Sequence, residues 1–302
     1  MPDMRFDGRV AIITGAGGGL GRAHALELAR RGAAVLVNDL GASLDGSGTT
    51  SSPAQRVVDE ITASGGRAAA NADSVATPEG GRAIVQAAVD AFGRVDVLVN
   101  NAGILQDKAF HKMDAATMNA VIDVHLKGAF YVSQPAFARM REQGYGRIIS
   151  TTSASGLFGN FGQANYGAAK AGLAGLTRVL AHEGAGRGVL ANAIAPIAAT
   201  RMTTDLLGAL AARVSPETVS PIMAYLAHED CAVNGNIYSV AGGRVARIIV
   251  AETAGVVLPE ITAEAMRDHL VPIDRLDDQT YHQPSSLEDE TTIIAKALAD
   301  AP

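Results

Sequence analysis

Ser153, Tyr166 and Lys170 lie in one short stretch, SASGLFGNFGQANYGAAK, and their types and spacing allow a proton to be passed between them. The run after Asn165 is rich in Ala, Gly and Leu and reads as a helix. Tyr166 and Lys170, four residues apart, would then share one helix face about one turn from each other. A phenol with a reference pKa of about 10 is a poor base at neutral pH, and an adjacent ammonium favours the phenolate. Lys170 is therefore expected to lower the pKa of Tyr166 toward the working range of a general acid-base. Ser153 follows an apolar strand-like run, Arg147 to Ser150, and offers a hydroxyl to hold a substrate oxygen. Taken alone, Tyr-x-x-x-Lys is also an ordinary helix face, so the elements that would place it decide the matter.

Those elements alternate. Gly8 to Thr14 is an apolar strand, followed by the turn Gly15-Ala16-Gly17-Gly18-Gly19-Leu20-Gly21 and a helical period through Ala23, Leu26 and Ala29. Ala34 to Asn38 is a second strand that ends at Asp39. Glycines let a backbone approach a pyrophosphate, and a helix N-terminus offers it free N–H groups. An acid about 20 residues on accepts bonds from a ribose. Gly15, Gly19, Leu20, Gly21 and Asp39 are accordingly candidate dinucleotide contacts. Asp39 favours the ribose hydroxyls of NAD over the 2′-phosphate of NADP, and no Arg stands just after it.

Further strands are expected at Arg67 to Asn71, Val95 to Val99, Gly146 to Ser150, Val189 to Ile194 and Gly235 to Val240, with helices at Ala54 to Ala63, Glu79 to Phe92 and Tyr166 to Gly186. The long segment Asp114 to Glu142 has helical spacing interrupted at Gly128. This alternation predicts an α/β fold: a single-domain, doubly wound, parallel seven-stranded sheet of Rossmann type, with sites at the strands' C-terminal ends. Asp73, with Ser74 beside it, follows the third strand and serves either an adenine amino group or the N-cap of the next helix. Asn101 and Gly103, after the fourth strand, suit a loop packed beside a cofactor, though plain turns use the same residues. Leu40 to Pro53 reads as a polar surface loop. Asp205 to Arg213 is an amphipathic piece that could close over a substrate.

The chain has 302 residues, is 48% hydrophobic, carries a net charge of −6 and contains one cysteine, Cys231. No apolar run approaches the ~20 residues that span a bilayer, and the N-terminus lacks the layout of a signal peptide. A cytoplasmic protein without membrane or nucleic-acid partners is the expectation, since nucleic-acid binding needs a basic field. A lone cysteine excludes an intrachain disulfide and a cysteine-rich metal site, and no metal is expected.

With these residues in hand, the chain resembles the short-chain dehydrogenase/reductase family. The matches are TGAGGGLG at Thr14 to Gly21, NNAG at Asn100 to Gly103, and Ser153 with Tyr166 and Lys170. More narrowly it is similar to the (3R)-hydroxyacyl-CoA dehydrogenase subgroup of peroxisomal multifunctional enzymes type 2, through VNDLG at Val37 to Gly41, VHLKGAF at Val124 to Phe130, SASGLFGNFGQANY at Ser153 to Tyr166 and NAIAP at Asn192 to Pro196. The resemblance implies an NAD-dependent enzyme that oxidises a 3-hydroxyacyl-CoA, with Tyr166 as the acid-base, Ser153 orienting the oxygen and Lys170 also holding the nicotinamide ribose. Where most members carry an Asn completing a catalytic tetrad, this chain has His125, read equally as a packed histidine or as the holder of a water linked to Lys170. Pro196-Ile197 replaces the usual Pro-Gly and the next segment is one residue shorter, so Thr200 is a less direct match for the carboxamide contact.

Residues 1–243 are expected to hold the cofactor and catalytic site, and 244–302 to form an extension packed on that domain or on a partner subunit. The small residues Ala168, Ala169, Ala171, Gly172, Ala174 and Gly175 and the family likeness point to a homodimer or homotetramer. Two other functions remain open at this level. One is a dehydrogenase or reductase of a steroid or other carbonyl or alcohol; the other is a non-catalytic dinucleotide-binding protein.

Overall fold

The computed structural model describes residues 3–42, 47, 52–200, 208–274 and 281–299. Five of its first six strands are short, apolar and largely buried on both faces: β1 (Val10–Thr14), β2 (Ala34–Asn38), β4 (Val97–Asn100), β5 (Gly146–Thr151) and β6 (Val189–Pro196). Such continuous burial belongs to a parallel sheet covered by helices on both sides. Alternation of side chains divides the core accordingly. Ile12, Leu98 and Ile148 join one apolar cluster, and Ile13, Val99 and Ile149 join another on the opposite face.

With β3 (Arg67–Asn71), β7 (Ile237–Ala241) and β8 (Arg244–Ile248), the strand order is β3-β2-β1-β4-β5-β6-β7-β8. Every pairing from β3 through β7 is parallel. The chain reverses direction of winding between β1 and β4, the switch point at which open α/β sheets bind ligands. Eight strands rather than the expected seven follow from Gly242 and Gly243, with φ of 53° and 87°. Two consecutive positive φ values make the two-residue turn that folds a strand straight back on its neighbour. The compact unit therefore runs through Arg247, four residues beyond the expected boundary, and a second unit comprises Ile248–Pro302.

The helices that matter for the site are α1 (Gly19–Arg30), α2 (Ser52–Ala63), α3 (Pro78–Phe92), α4 (Ala115–Ile122), α5 (Gly128–Gln143), α6 (Ala154–Phe158) and α7 (Ala164–Ala185). Gly128 does not interrupt the segment as expected. Asp123–Lys127 forms a wide π turn that joins α4 to α5, and Gly128 instead lets that turn approach Val75, whose Cγ2 would lie 3.0 Å from an added Cβ. Thr77 caps α3, accepting from Gly80 N at 3.1 Å with Pro78 at the first helical position. Asp73 is thus not the N-cap of that helix.

Within the second unit, β9 (Glu252–Thr253) pairs antiparallel with β10 (Tyr281–His282). Thr253 Oγ1 donates to Ile273 O at 2.7 Å, at the end of a helix over Ala263–Asp274. A further helix, Leu287–Ala299, buries none of its residues. Among the described residues, no helix is long and apolar enough to cross a membrane. Of the expected mobile piece Asp205 to Arg213, residues 205–207 lie outside the described residues and Gly208–Arg213 is a short 3₁₀ helix.

Candidate functional site

A cleft of about 480 Å³ opens at the C-terminal ends of the strands. Its wall carries Gly15, Gly19, Leu20, Asp39, Asp73, Ser74, Asn101, Gly103, His125, Ser153, Tyr166, Lys170 and Thr200. All the expected site residues except Gly21 therefore meet in one place. Gly21 sits behind the turn, where a Cβ would fall 2.3 Å from Gly15 O and 2.6 Å from Asn101 Nδ2. Its lack of a side chain serves close packing of α1 on the turn.

The glycine turn is held from two sides. Asn101 Nδ2 donates to Thr14 O and Gly15 O at 3.0 and 3.1 Å, so this amide braces the turn from β4. Asp39 accepts from Gly17 N at 2.8 Å and from Gly41 N at 2.7 Å, which fixes its carboxylate at the rim of the cleft. Gly15 has φ of 62°, and a Cβ there would meet Ala102 Cα at 2.7 Å. Asp73 is tied to Asn71, whose Nδ2 donates to it at 2.7 Å. Thr200 lies against the turn, 3.5 Å from where a Gly19 Cβ would be.

The chemistry-bearing side chains converge opposite this turn. Ser153 ends the loop after β5 and caps α6, accepting from Ser155 N at 3.1 Å, and it shares the cleft wall with Tyr166. The missing side chain of Gly156 lets α6 lie on α7, since a Cβ there would be 2.7 Å from Lys170 Cβ and Ala171 N. Lys170 is 3% exposed. Its Nζ donates to Thr151 O at 2.6 Å and lies 5.6 Å from the centre of the Tyr166 ring.

The electrostatics run opposite to the expectation from sequence. Burial raises the Tyr166 pKa above its ordinary value; the Ser153 hydroxyl opposes this and the charge of Asp107 adds to it. Burial also pushes Lys170 down to about 7, because no carboxylate pairs with it among the described residues. An ammonium weakened by burial gives the phenolate less support, and burial itself favours the protonated phenol at Tyr166.

His125 sits in the π turn with its ring edge-on to Tyr166 at 5.2 Å. Its Nε2 lies 2.8 Å from Ile104 O and 3.0 Å from Ile104 N, so either tautomer finds a partner in that residue. Nδ1 is buried without a partner, and burial beside Lys170 pushes the His125 pKa down to about 3. A neutral imidazole thus packs between the β4 loop and the reactive phenol, against Gly103, where a Cβ would strike its Cε1 at 2.3 Å.

Three further residues on or beside the cleft carry no signal that spacing alone would reveal. Thr151 Oγ1 is buried without a partner on the cleft wall. Gln163 and Asn160 line it as well, joined to Asp107. The amide-rich run GNFGQAN was the available clue.

A nicotinamide dinucleotide fits these residues. The turn has no room for a Cβ at Gly15, Gly17 or Gly21 and so leaves bare backbone on the cleft, Asp39 stands just after β2, and the orphaned Thr151 hydroxyl belongs to the same cleft.

The profile of a family described as short chain dehydrogenase matches residues 9–210. A short-chain type dehydrogenase/reductase of Mycobacterium tuberculosis is 55% identical over 241 residues, covering 80% of this chain and 84% of that protein. Peroxisomal multifunctional enzyme A of Dictyostelium discoideum is 44% identical over 300 residues, covering 99% of this chain and 67% of the relative. The solved full-length peroxisomal multifunctional enzyme type 2 of Drosophila melanogaster superposes with a TM-score of 0.81 at 38% identity, covering 98% of this chain and 50% of that one. The chain thus spans about half the length of that solved multifunctional enzyme.

Proposed function

The chain belongs to the short-chain dehydrogenase family, an oxidoreductase family that uses a nicotinamide dinucleotide, and from that premise we propose an NAD-dependent 3-hydroxyacyl-CoA dehydrogenase acting in β-oxidation. The observation that carries the catalytic part is the meeting of Ser153, Tyr166 and buried Lys170 across one cleft from the glycine turn. The substrate class rests on the motifs shared with hydroxyacyl-CoA dehydrogenases over Val37 to Pro196 and on the multifunctional enzymes that the chain matches nearly end to end.

The dinucleotide, when bound, supplies the hydride acceptor. Ser153 orients the hydroxyl oxygen of the substrate, and Tyr166 exchanges the proton on that oxygen. Because burial favours the protonated form of Tyr166, the free enzyme is poised as a proton donor, the role that ketone reduction requires. In the oxidative direction Tyr166 must first shed its proton, and Lys170 Nζ, 5.6 Å from the centre of its ring, is an amine beside it that burial makes available as a base. Asp39 favours NAD over NADP, since a 2′-phosphate would meet its carboxylate. His125 acts by positioning Tyr166 rather than by carrying charge.

Initial rates on 3-hydroxyacyl-CoA thioesters, free secondary alcohols and steroids, each with NAD and with NADP, test the assignment. Thioester oxidation with NAD at the highest kcat/KM is the expected result. Faster turnover of a steroid, or preference for NADP, overturns the substrate or the cofactor part respectively. A homodimer or homotetramer belongs to the same proposal: Ala168, Ala171 and Gly175 stay exposed on α7, whereas Ala169 and Ala174 are spent inside the subunit and Gly172 packs on Leu126. A monomer in light scattering at micromolar concentration would contradict that part.

A further inference from the structure

Gln163 stands one turn before Tyr166 at the start of α7 and is 8% exposed, with its amide on the cleft wall. Its orientation is set by its neighbours. Asp107 Oδ2 accepts from Gln163 Nε2 at 2.8 Å, and a carboxylate can only accept, so the NH₂ end must face it. Gln163 Oε1 in turn accepts from Asn160 Nδ2 at 3.0 Å. The chain Asn160 to Gln163 to Asp107 therefore runs in one direction and the amide cannot flip without losing both bonds. One N–H of Gln163 is spent on Asp107 and the other is left over. Gln163 lines the cleft, so a ligand there can take that second N–H.

The frame around this amide is tightly stitched. Asn165 Nδ2 donates to Gln106 O at 3.1 Å and to Thr117 O at 3.2 Å, and Lys108 N donates to Gly162 O at 2.8 Å. The loop after β4 and the loop before α7 are thus joined on both sides of Gln163. Gln163 is the N-cap residue of α7, three before Tyr166, and both line the cleft together with Ser153. A group held by Gln163 can thus belong to the same molecule whose hydroxyl meets Ser153 and Tyr166.

We propose that Gln163 donates its remaining amide N–H to the thioester carbonyl oxygen of the substrate, two carbons from the reacting carbinol, with Asp107 as the positioning residue that aims it. This rests on the acyl-thioester reading above. It makes the cleft selective for a β-oxygenated carbonyl compound over a simple secondary alcohol.

The test compares two substrates that share the 3-hydroxyl: 3-hydroxybutyryl-pantetheine and its thioether analogue, in which CH₂ replaces the thioester carbonyl. The wild type is expected to oxidise the thioester with kcat/KM at least about tenfold higher, the scale of one lost hydrogen bond. Gln163→Met, similar in size but without a donor, should lose about tenfold on the thioester and less than about threefold on the thioether, with NADH binding unchanged. Asp107→Asn should lose the same selectivity in part, through KM more than kcat, because an amide in its place no longer dictates which way Gln163 points. Equal wild-type rates on the two substrates, or equal losses on both in Gln163→Met, overturn the role of Gln163 while leaving the acyl-thioester reading intact. Should Gln163→Met fail to fold, the wild-type ratio and Asp107→Asn decide the question alone. No wild-type turnover of the thioester overturns the acyl-thioester reading itself, and the Gln163 assignment with it.

Discussion

The two ends of the sheet treat buried charge in opposite ways. At the N-terminal ends of β1, β4 and β5, Asp96 is fully buried and receives Arg9 at 3.2 Å, Arg94 at 2.7 Å and the Val10 N–H at 2.9 Å. Arg147, 6% exposed, spends its guanidinium on the carbonyls of Gly146, Gly188, His228 and Glu229, and Tyr145 lies between it and Arg9. At the C-terminal ends, Lys170 is as deeply buried yet has no carboxylate among the described residues, and among them Thr151 Oγ1, Ser150 Oγ and His125 Nδ1 have no hydrogen-bond partner. A fold can satisfy its buried polar groups, as the first end shows. The unsatisfied ones on the cleft wall, Thr151 Oγ1 and His125 Nδ1, stand where a ligand and a reaction would meet them.

Breaking the C-terminal end should therefore cost function and leave the fold. Tyr166→Phe removes one hydroxyl that no structural network needs. The expected result is a fall in kcat of about 10³-fold, within the 10²–10⁴ that a positioned acid-base contributes. NADH binding and the thermal midpoint should stay near wild type. Residual activity above a tenth of wild type would mean that another group moves the proton.

Breaking the N-terminal end should do the reverse. Asp96→Ala leaves the Val10 N–H buried without an acceptor and two arginines without their shared carboxylate. Since Arg9 and Arg94 are 24% and 41% exposed, water recovers part of the loss. A destabilisation of about 3 kcal/mol in urea unfolding is expected, with kcat unchanged. A variant that kept its stability but lost activity would erase the distinction between the two ends.

How much of this contrast the bare sequence displays depends on whether a residue's role is local. The strand–turn–helix at Thr14 to Gly21, the acid at Asp39 and the face shared by Tyr166 and Lys170 are local patterns, and they appear where periodicity places them. The strand Arg244–Ile248 escaped because Gly242-Gly243 reads as an end, although two glycines are also the signature of a tight hairpin. Thr77-Pro78 marks the cap of α3 more sharply than Asp73 does. The π turn at Asp123–Lys127 has no sequence period of its own. The shift of Tyr166 was misjudged in sign because burial is a tertiary quantity: a Lys four residues away looks like a full charge until its own desolvation is known. Asp107 and Gln163 are 56 residues apart, and only the folded loops bring them together.

The unpaired state of Lys170 can be read directly from the pH dependence of stability. In the folded protein its pKa is about 7, against an ordinary value of 10.5. Between those values the unfolded chain binds the extra proton and the folded chain does not, so stability rises with pH. The wild type should gain about 2 kcal/mol from pH 7 to pH 9 relative to Lys170→Met, which lacks the titrating group. Identical slopes in the two proteins would show that Lys170 keeps its charge when buried, and with it the ability to lower the Tyr166 pKa.

His125 offers the smallest and most discriminating of these tests, because His24, on the buried face of α1, is its counterpart. Both are buried, pushed down to about 3, and have one partnered and one unpartnered ring nitrogen, but His24 Nδ1 meets Ser220 Oγ at 2.9 Å and the ring does not line the cleft. The unfolded chain takes up a proton on each near pH 6.5, which the folded protein refuses, so stability falls as pH drops below 6.5 and continues to fall toward 3. Replacing either histidine with asparagine should remove about 1 kcal/mol of that loss between pH 6.5 and 5.5. Only His125→Asn should also alter kcat, since only that ring packs edge-on against Tyr166. If both variants flatten the acid limb and both leave kcat unchanged, His125 is a core residue like His24, and the unpartnered groups that define the catalytic end begin at Thr151 and Lys170.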